Sequence, residues 1–167
     1  MATHQFRGQA SQFYVAAELC RRGFHASVTL GNCPDFDVVA LSKSGRILVT
    51  IQVKTYVLGQ ATCAVGMKAQ EKYGKTMFWV LTGLPIAEEG QPEFYIIPSE
   101  TMAREVRRGF ENWVGTKGKH GQDRDKNNRI RTVHMPPHVN RHCPWDLTPY
   151  RNAWDPVTRI LRDMTPT

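Results

Sequence analysis

The sequence has 167 residues, of which 41% are hydrophobic and 22% charged; that balance fits one globular domain able to bury roughly 70% of its unfolded surface, and it excludes a disordered chain. The net charge is +7 and the sequence pI about 9.5, which favours a polyanionic partner through counterion release. No run approaches the ~18 apolar residues of a membrane span, and the first residues lack the apolar core of a signal peptide, so the cytoplasm is the expected location.

Along the chain, residues 8–22 have the pattern of an amphipathic helix. Phe13, Ala16, Ala17 and Cys20 form its apolar stripe, Val15 and Leu19 widen it, and Gly23 is placed to cap its end. A short strand is expected over 26–30, then a turn through Gly31, Asn32, Cys33 and Pro34. Residues 36–42 and 46–55 are β-rich runs joined by Lys43, Ser44 and Gly45, the signature of a hairpin. Residues 77–82 and 93–97 are nearly continuous apolar runs, which implies strands buried on both faces. A helix follows Pro98, with Ser99 as N-cap, Met102 and Val106 facing the core, Arg107 and Arg108 in the last turn, and Gly109 after it.

From 112 to 142 the periodicity fades into a polar segment, the kind of long connection that is usually functional or mobile. Residues 150–162 suggest a helix interrupted at Pro156 and docked by Trp145, Tyr150, Trp154, Val157 and Ile160. The order of elements points to an α/β (α+β) sandwich with a mixed central sheet. The four cysteines, Cys20, Cys33, Cys63 and Cys143, are scattered, which argues against a disulfide framework. His134, His138 and His142 would align on a helix beside Cys143, but Pro136 and Pro137 prevent one, so they are read as loop histidines and not as zinc ligands.

The residues most suited to chemistry lie on the hairpin. Phosphodiester hydrolysis takes a divalent ion held by oxygen ligands, an activated water, and a cation to counter charge in the transition state. Asp37 heads one strand. Gln52 and Lys54, two apart, share one face of the next. Asp37 can hold Mg²⁺ or Mn²⁺, Gln52 or the backbone of Val53 can add a neutral oxygen, and Lys54 can position water or offset charge.

Gly8 with Gln12, Ala16-Ala17-Glu18-Leu19, Arg22-Gly23-Phe24, Asp37-Val38-Val39-Ala40, and Ile51-Gln52-Val53-Lys54-Thr55 together resemble the PD-(D/E)XK nuclease superfamily. The likeness is nearest to the branch of archaeal Holliday-junction resolvases and group I intron homing endonucleases with a Gln-x-Lys variant. Phe94-Tyr95-Ile96-Ile97-Pro98-Ser99 is similar to the strand and helix start that follow in such proteins. The resemblance covers about the first 110 residues. It implies a restriction-endonuclease-like core (a four- or five-stranded mixed sheet flanked by helices), a Mg²⁺-dependent endonuclease centre at a sheet edge, DNA as substrate, and a homodimer.

By this resemblance Asp37 matches the first acid, with Asp35 as a second metal-ligand candidate. Gln52 stands where the family has Glu or Asp, and Lys54 matches the lysine. Gln12 takes the place of the helix glutamate, and Glu18 is a further candidate on the same helix. The two glutamines leave fewer charges than the family uses, so a module that binds DNA or a protein without cutting is the alternative expectation.

Residues 1–98 carry 9 basic and 7 acidic side chains, and residues 99–167 carry 13 and 8. The later excess contains Arg104, Arg107, Arg108, Lys117, Lys119, Arg124, Lys126, Arg129, Arg131 and Arg141, a tract able to follow a phosphate backbone. Trp113 and His120 are placed to stack on an exposed base. The expected organisation is a nuclease-like core over 1–110, with a basic loop and C-terminal helix over 111–167 packed on the same domain.

Overall fold

The computed structural model describes residues 4–29, 33–86 and 89–162. A helix, α1 (His4–Arg21), precedes an antiparallel meander of β1 (His25–Val28), β2 (Val38–Leu41) and β3 (Leu48–Val57). A crossover containing β4 (Thr62–Ala64) and α2 (Lys68–Glu71) leads to β5 (Met77–Leu84), which lies parallel to β3. Then come β6 (Glu93–Pro98), antiparallel to β5, and α3 (Ser99–Val114). The chain returns through β7 (Thr132–His134) to α4 (Asp155–Leu161).

The main sheet has the order β1-β2-β3-β5-β6, and β4 pairs with β7 in a small second sheet. The fold is therefore a mixed α+β sandwich with the expected five-stranded sheet. No helix among the described residues is long and apolar enough to cross a membrane.

Period-two alternation in β3 sorts its side chains into two cores. Val49, Ile51 and Val53 pack under Val15, Ala16 and Leu19 of α1, with Trp154, Val157 and Leu161 closing that side. Tyr56 faces the opposite way, into a cluster with Trp79, Leu81, Ile97, and Met102 and Val106 of α3. Cys63, Val65, Val133, Met135 and Leu147 complete the second cluster. Each fully buried aliphatic side chain contributes about 1.5–3 kcal/mol. Residues beyond 110 thus enter both cores.

Several local expectations are corrected. The helix starts at His4, and its buried residues are Ser11, Val15, Ala16 and Leu19. Phe13 is 61% exposed, and Ala17 and Cys20 also face outward. The helix carries two apolar stripes; the one with Val15, Ala16 and Leu19 turns inward, and on that side the Ser11 hydroxyl accepts a bond of 2.8 Å from Thr55 Oγ1 on β3. Gly23 does end the helix, at φ +86°, with the N–H of Phe24 bonded to Leu19 C=O and that of Gly23 to Cys20 C=O.

Ser99 does not act as an N-cap side chain; its hydroxyl bonds both N–H and C=O of Gly74 at 3.0 Å. The third helix runs through Gly109 to Val114. A Cβ at Gly109 would lie 3.0 Å from Cys143 Cβ, so the position serves close packing and not termination. The 112–142 segment holds the last turn of α3 and β7. The last helix begins at Asp155 with Pro156 in its first turn, where no N–H is needed, so Pro156 opens the helix and does not interrupt it. Leu30, Gly31 and Asn32, the end of the expected first strand and the start of its turn, lie outside the described residues.

Candidate active site

Asp37 sits just before β2, opposite the middle of β3 and at the end of the hairpin away from its turn. Its backbone N–H donates to Ile51 C=O at 2.9 Å, which continues the β2–β3 ladder and fixes the residue against the middle of β3. Its carboxylate accepts three bonds. Gln12 Nε2 of α1 donates to Oδ1 at 3.0 Å. The backbone N–H of Val53 donates to Oδ2 at 2.7 Å, and Gln52 Nε2 donates to the same oxygen. Three elements, α1, β2 and β3, therefore converge on one carboxylate.

Gln52 and Lys54 lie on the face of β3 opposite α1, with Gln52 buried and Lys54 half-buried. Burial pushes the Asp37 carboxyl above its usual range; the Val53 N–H, the Lys54 ammonium, the Gln52 amide and the Lys68 ammonium each pull it back down. Lys54 makes no hydrogen bond or ion pair within the described residues, so its charge stands beside Asp37 unspent. Lys68 of α2 is the second ammonium near Asp37, and it donates to Pro34 C=O. No spacing in the sequence marks Lys68, because the crossover brings it back from 34 residues further along the chain.

No family model matches the sequence, and no curated protein is significantly similar to it. Among solved structures, a bacterial homing endonuclease matches with a TM-score of 0.56 at 18% identity, over 98% of this chain and 94% of its own. The chain has a restriction-endonuclease-like nuclease fold. A Holliday junction resolvase of the archaeal hyperthermophile Archaeoglobus fulgidus also aligns, with a TM-score of 0.42 at 14% identity, over 77% of this chain and 84% of that one.

Within this nuclease-like fold the groups gathered at Asp37 suit a hard divalent cation in kind. They offer one carboxylate and two amide oxygens, with no sulfur or imidazole. The charge is a single negative one. The amides presently turn their nitrogens to Asp37, so their oxygens reach a cation only after rotation.

The other predicted site residues lie elsewhere. Asp35 is exposed and paired with Lys72. Glu18 is bound by Arg21 and Arg22, which hold its carboxyl below the usual range, and it lies six residues along α1 from Gln12 with no bond to Asp37.

The basic tract is partly engaged. Arg104 and Arg108 pair with Glu105 at 2.9 and 2.5 Å. Arg107 donates to Gln70 C=O at 2.9 Å, and Lys117 pairs with Asp123 at 2.5 Å. Arg124 lies over the Trp113 ring at 4.6 Å. Lys119, Lys126, Arg129 and His120 are exposed, and so is Arg141, which donates to His142 Nε2 at 3.0 Å. Arg131 is 5% exposed and turned inward, away from any outward phosphate track. Among the described residues no three of His, Cys, Asp and Glu gather as a metal cluster.

Proposed function

We propose that this protein is a metal-dependent DNA endonuclease of PD-(D/E)XK type. The observation that carries the reading is the convergence of Gln12, Asp37 and Gln52 beside Lys54 on a nuclease-like sheet. Asp37 supplies the charged ligand for Mg²⁺ or Mn²⁺, and Gln52 and Gln12 add neutral oxygens. When bound, the cation lowers the pKa of a coordinated water and offsets charge on the phosphate. Lys54 orients the attacking water or neutralises the charge that builds on the phosphate oxygens, and Lys68 binds the adjoining phosphate. Raised by burial, the Asp37 carboxyl is protonated more readily than a surface Asp, so cation and proton compete for it.

A second reading has one observation in its favour. Three neutral donors already bind the Asp37 carboxylate, an arrangement that is held without a cation and fits a module that binds DNA without cutting.

Cleavage of duplex and branched DNA with Mg²⁺ or Mn²⁺ separates the two. The expected result is cutting by the natural chain and a loss of about 10²-fold or more in Asp37→Ala and Lys54→Ala, the size typical for removal of one electrostatic stabiliser. Cutting undiminished in both variants removes Asp37 and Lys54 from the catalytic site, and no cutting at all with tight binding establishes the binding module.

The outer stripe of α1, with Phe13, Tyr14, Ala17 and Cys20 exposed, supports association with a second copy. Light scattering on Phe13→Glu is expected to give a monomer where the natural chain gives a dimer.

A further inference from the structure

A cavity of about 220 Å³ lies between α3 and the 128–145 segment, on the side of the sheet away from α1. It is smaller than the ~300 Å³ at which pockets for drug-sized ligands begin, and it suits one ring system. Its walls are aromatic. Phe110 and Trp113 stack with centroids 5.8 Å apart and planes at 25°, and Trp145 also lines it.

The cavity's polar groups are unusual in what they leave open. Arg131 lies over Phe110 with its guanidinium carbon 3.4 Å from the ring centroid. Its Nε donates to Gln70 Oε1 at 2.7 Å, and its Nη1 to the C=O of Asn128 and Ile130 at 2.6 and 2.9 Å. Nη2 has no acceptor among the described residues, and no carboxylate forms an ion pair with this buried cation. Asn128 and Asn140 use their side-chain oxygens on the N–H groups of Ile130 and His142, both at 2.8 Å, which leaves both amide nitrogens without acceptors. Arg131, Asn128 and Asn140, each with one nitrogen free of protein acceptors, line this aromatic cavity together with Glu105. None of these nitrogens is among the fully buried unpartnered atoms of the described residues, so each is open to solvent and to a ligand's acceptor.

We propose that this cavity binds a nucleobase, with guanine preferred. The ring fits the aromatic walls, and its O6 and N7 acceptors meet the one free guanidinium nitrogen of Arg131, Nη2, together with the amide nitrogens of Asn128 and Asn140. Adenine offers the ring nitrogen but no carbonyl, so it binds more weakly. The base comes either from a free nucleotide or from DNA with the base swung out of the stack, and the second source rests on the nuclease reading above. Exposed Lys126, Arg129 and Arg141 belong to the same segment. Gln70 of α2 holds Arg131, and Lys68 of the same turn stands beside Asp37, so cavity and site share an element.

The test uses the full chain with isotope-labelled tryptophan, following the indole signals of Trp113 and Trp145. The probes are dGMP, dAMP, inorganic phosphate, and two DNA duplexes, one fully paired and one carrying a single unpaired guanine. The expected result is a shift with dGMP, at least about fivefold weaker binding of dAMP, and none with phosphate. The duplex with the unpaired guanine binds at least about tenfold tighter than the paired one, because its unpairing cost is already met. Thr132→Trp fills the cavity from an exposed position, and Trp113→Ala removes one wall; folded by circular dichroism, each abolishes the shift and the duplex preference.

Indole signals unmoved by millimolar dGMP, or an equal response to phosphate, overturn the proposal. A response to dGMP with equal affinity for the two duplexes assigns the cavity to free nucleotides. A response to dGMP with no duplex binding at all keeps the cavity and defeats the nuclease reading instead.

Discussion

On the α1 side of the sheet the core comes mostly from residues close in sequence: Val15 and Leu19, then Val38, Ala40, Val49, Ile51 and Val53, with α4 added late. On the α3 side, Cys63, Val65, Val133, Met135 and Leu147 reach the core from irregular segments far apart in the chain. The candidate catalytic groups Asp37, Gln52 and Lys54 hang on the locally paired β2–β3 hairpin, Gln52 and Lys54 on its face away from α1, and the cavity belongs to the non-local part. Local pairing holds chemistry in a narrow geometry; distant segments meeting over a helix leave a space whose shape is free to serve recognition.

Removing apolar bulk from the non-local core is the severest way to break that contrast. Leu147→Ala is expected to lose about 2–5 kcal/mol, measured by denaturant unfolding. Hydrogen exchange in β7 should rise before exchange in β3; simultaneous loss in both would mean that the two sides unfold as one.

Next in size, Gly83→Ala tests how closely β3 and β5 pack. A Cβ there would come within 2.6 Å of the Tyr56 ring and hydroxyl, whose bond of 2.7 Å to Glu93 crosses β5 at this point. A cost of about 1–3 kcal/mol is expected.

Gln52→Glu sharpens the chemical side. A second carboxylate at Asp37 should tighten Mn²⁺ binding by about tenfold in calorimetry, since affinity follows ligand charge. Unchanged affinity would place the cation elsewhere.

Thr82→Val changes the shared middle of the sheet in the opposite direction. The Thr82 hydroxyl is fully buried with no partner among the described residues, so replacing it with a methyl should stabilise the fold by about 1 kcal/mol.

The smallest effect is a pH slope. Folding raises the Asp37 pKa, so the folded state holds the proton more tightly than the unfolded one. Stability from this group is therefore full below the ordinary Asp range and falls as pH rises through the raised folded value. Comparing melting temperatures of the natural chain and Asp37→Asn across acid to neutral pH isolates it, because the lowered carboxyls of Glu18 and Asp146 slope the other way in both proteins.

What was legible in the sequence follows the same division. Asp37, Gln52 and Lys54 could be placed because a period of two and a Gly45 turn at φ +72° determine a hairpin locally. The orientation of α1 could not, since Phe13 and Val15 are both apolar and the side that turns inward is set by tertiary contacts with β3, among them the bond of Ser11 with Thr55. The three-residue strands β4 and β7 are too short to show a period. Lys68 and Arg131 take their places through a crossover and a contact 61 residues apart, which no local pattern records.

The double attachment of Asp37 to β3, by its N–H to Ile51 and by its carboxylate to Val53, has a consequence for how such a chain can change length. The turn at Lys43, Ser44 and Gly45 lies at the far end of the hairpin, beyond the pair Leu41 and Leu48. Residues added there lengthen a loop and leave the carboxylate where it is. One residue added between Asp37 and Leu41 moves the acid to the other face of the sheet, away from Lys54. Insertions at the turn end of the hairpin therefore leave the site intact, whereas a single one after Val38 moves the acid and turns that buried side chain out of the core as well.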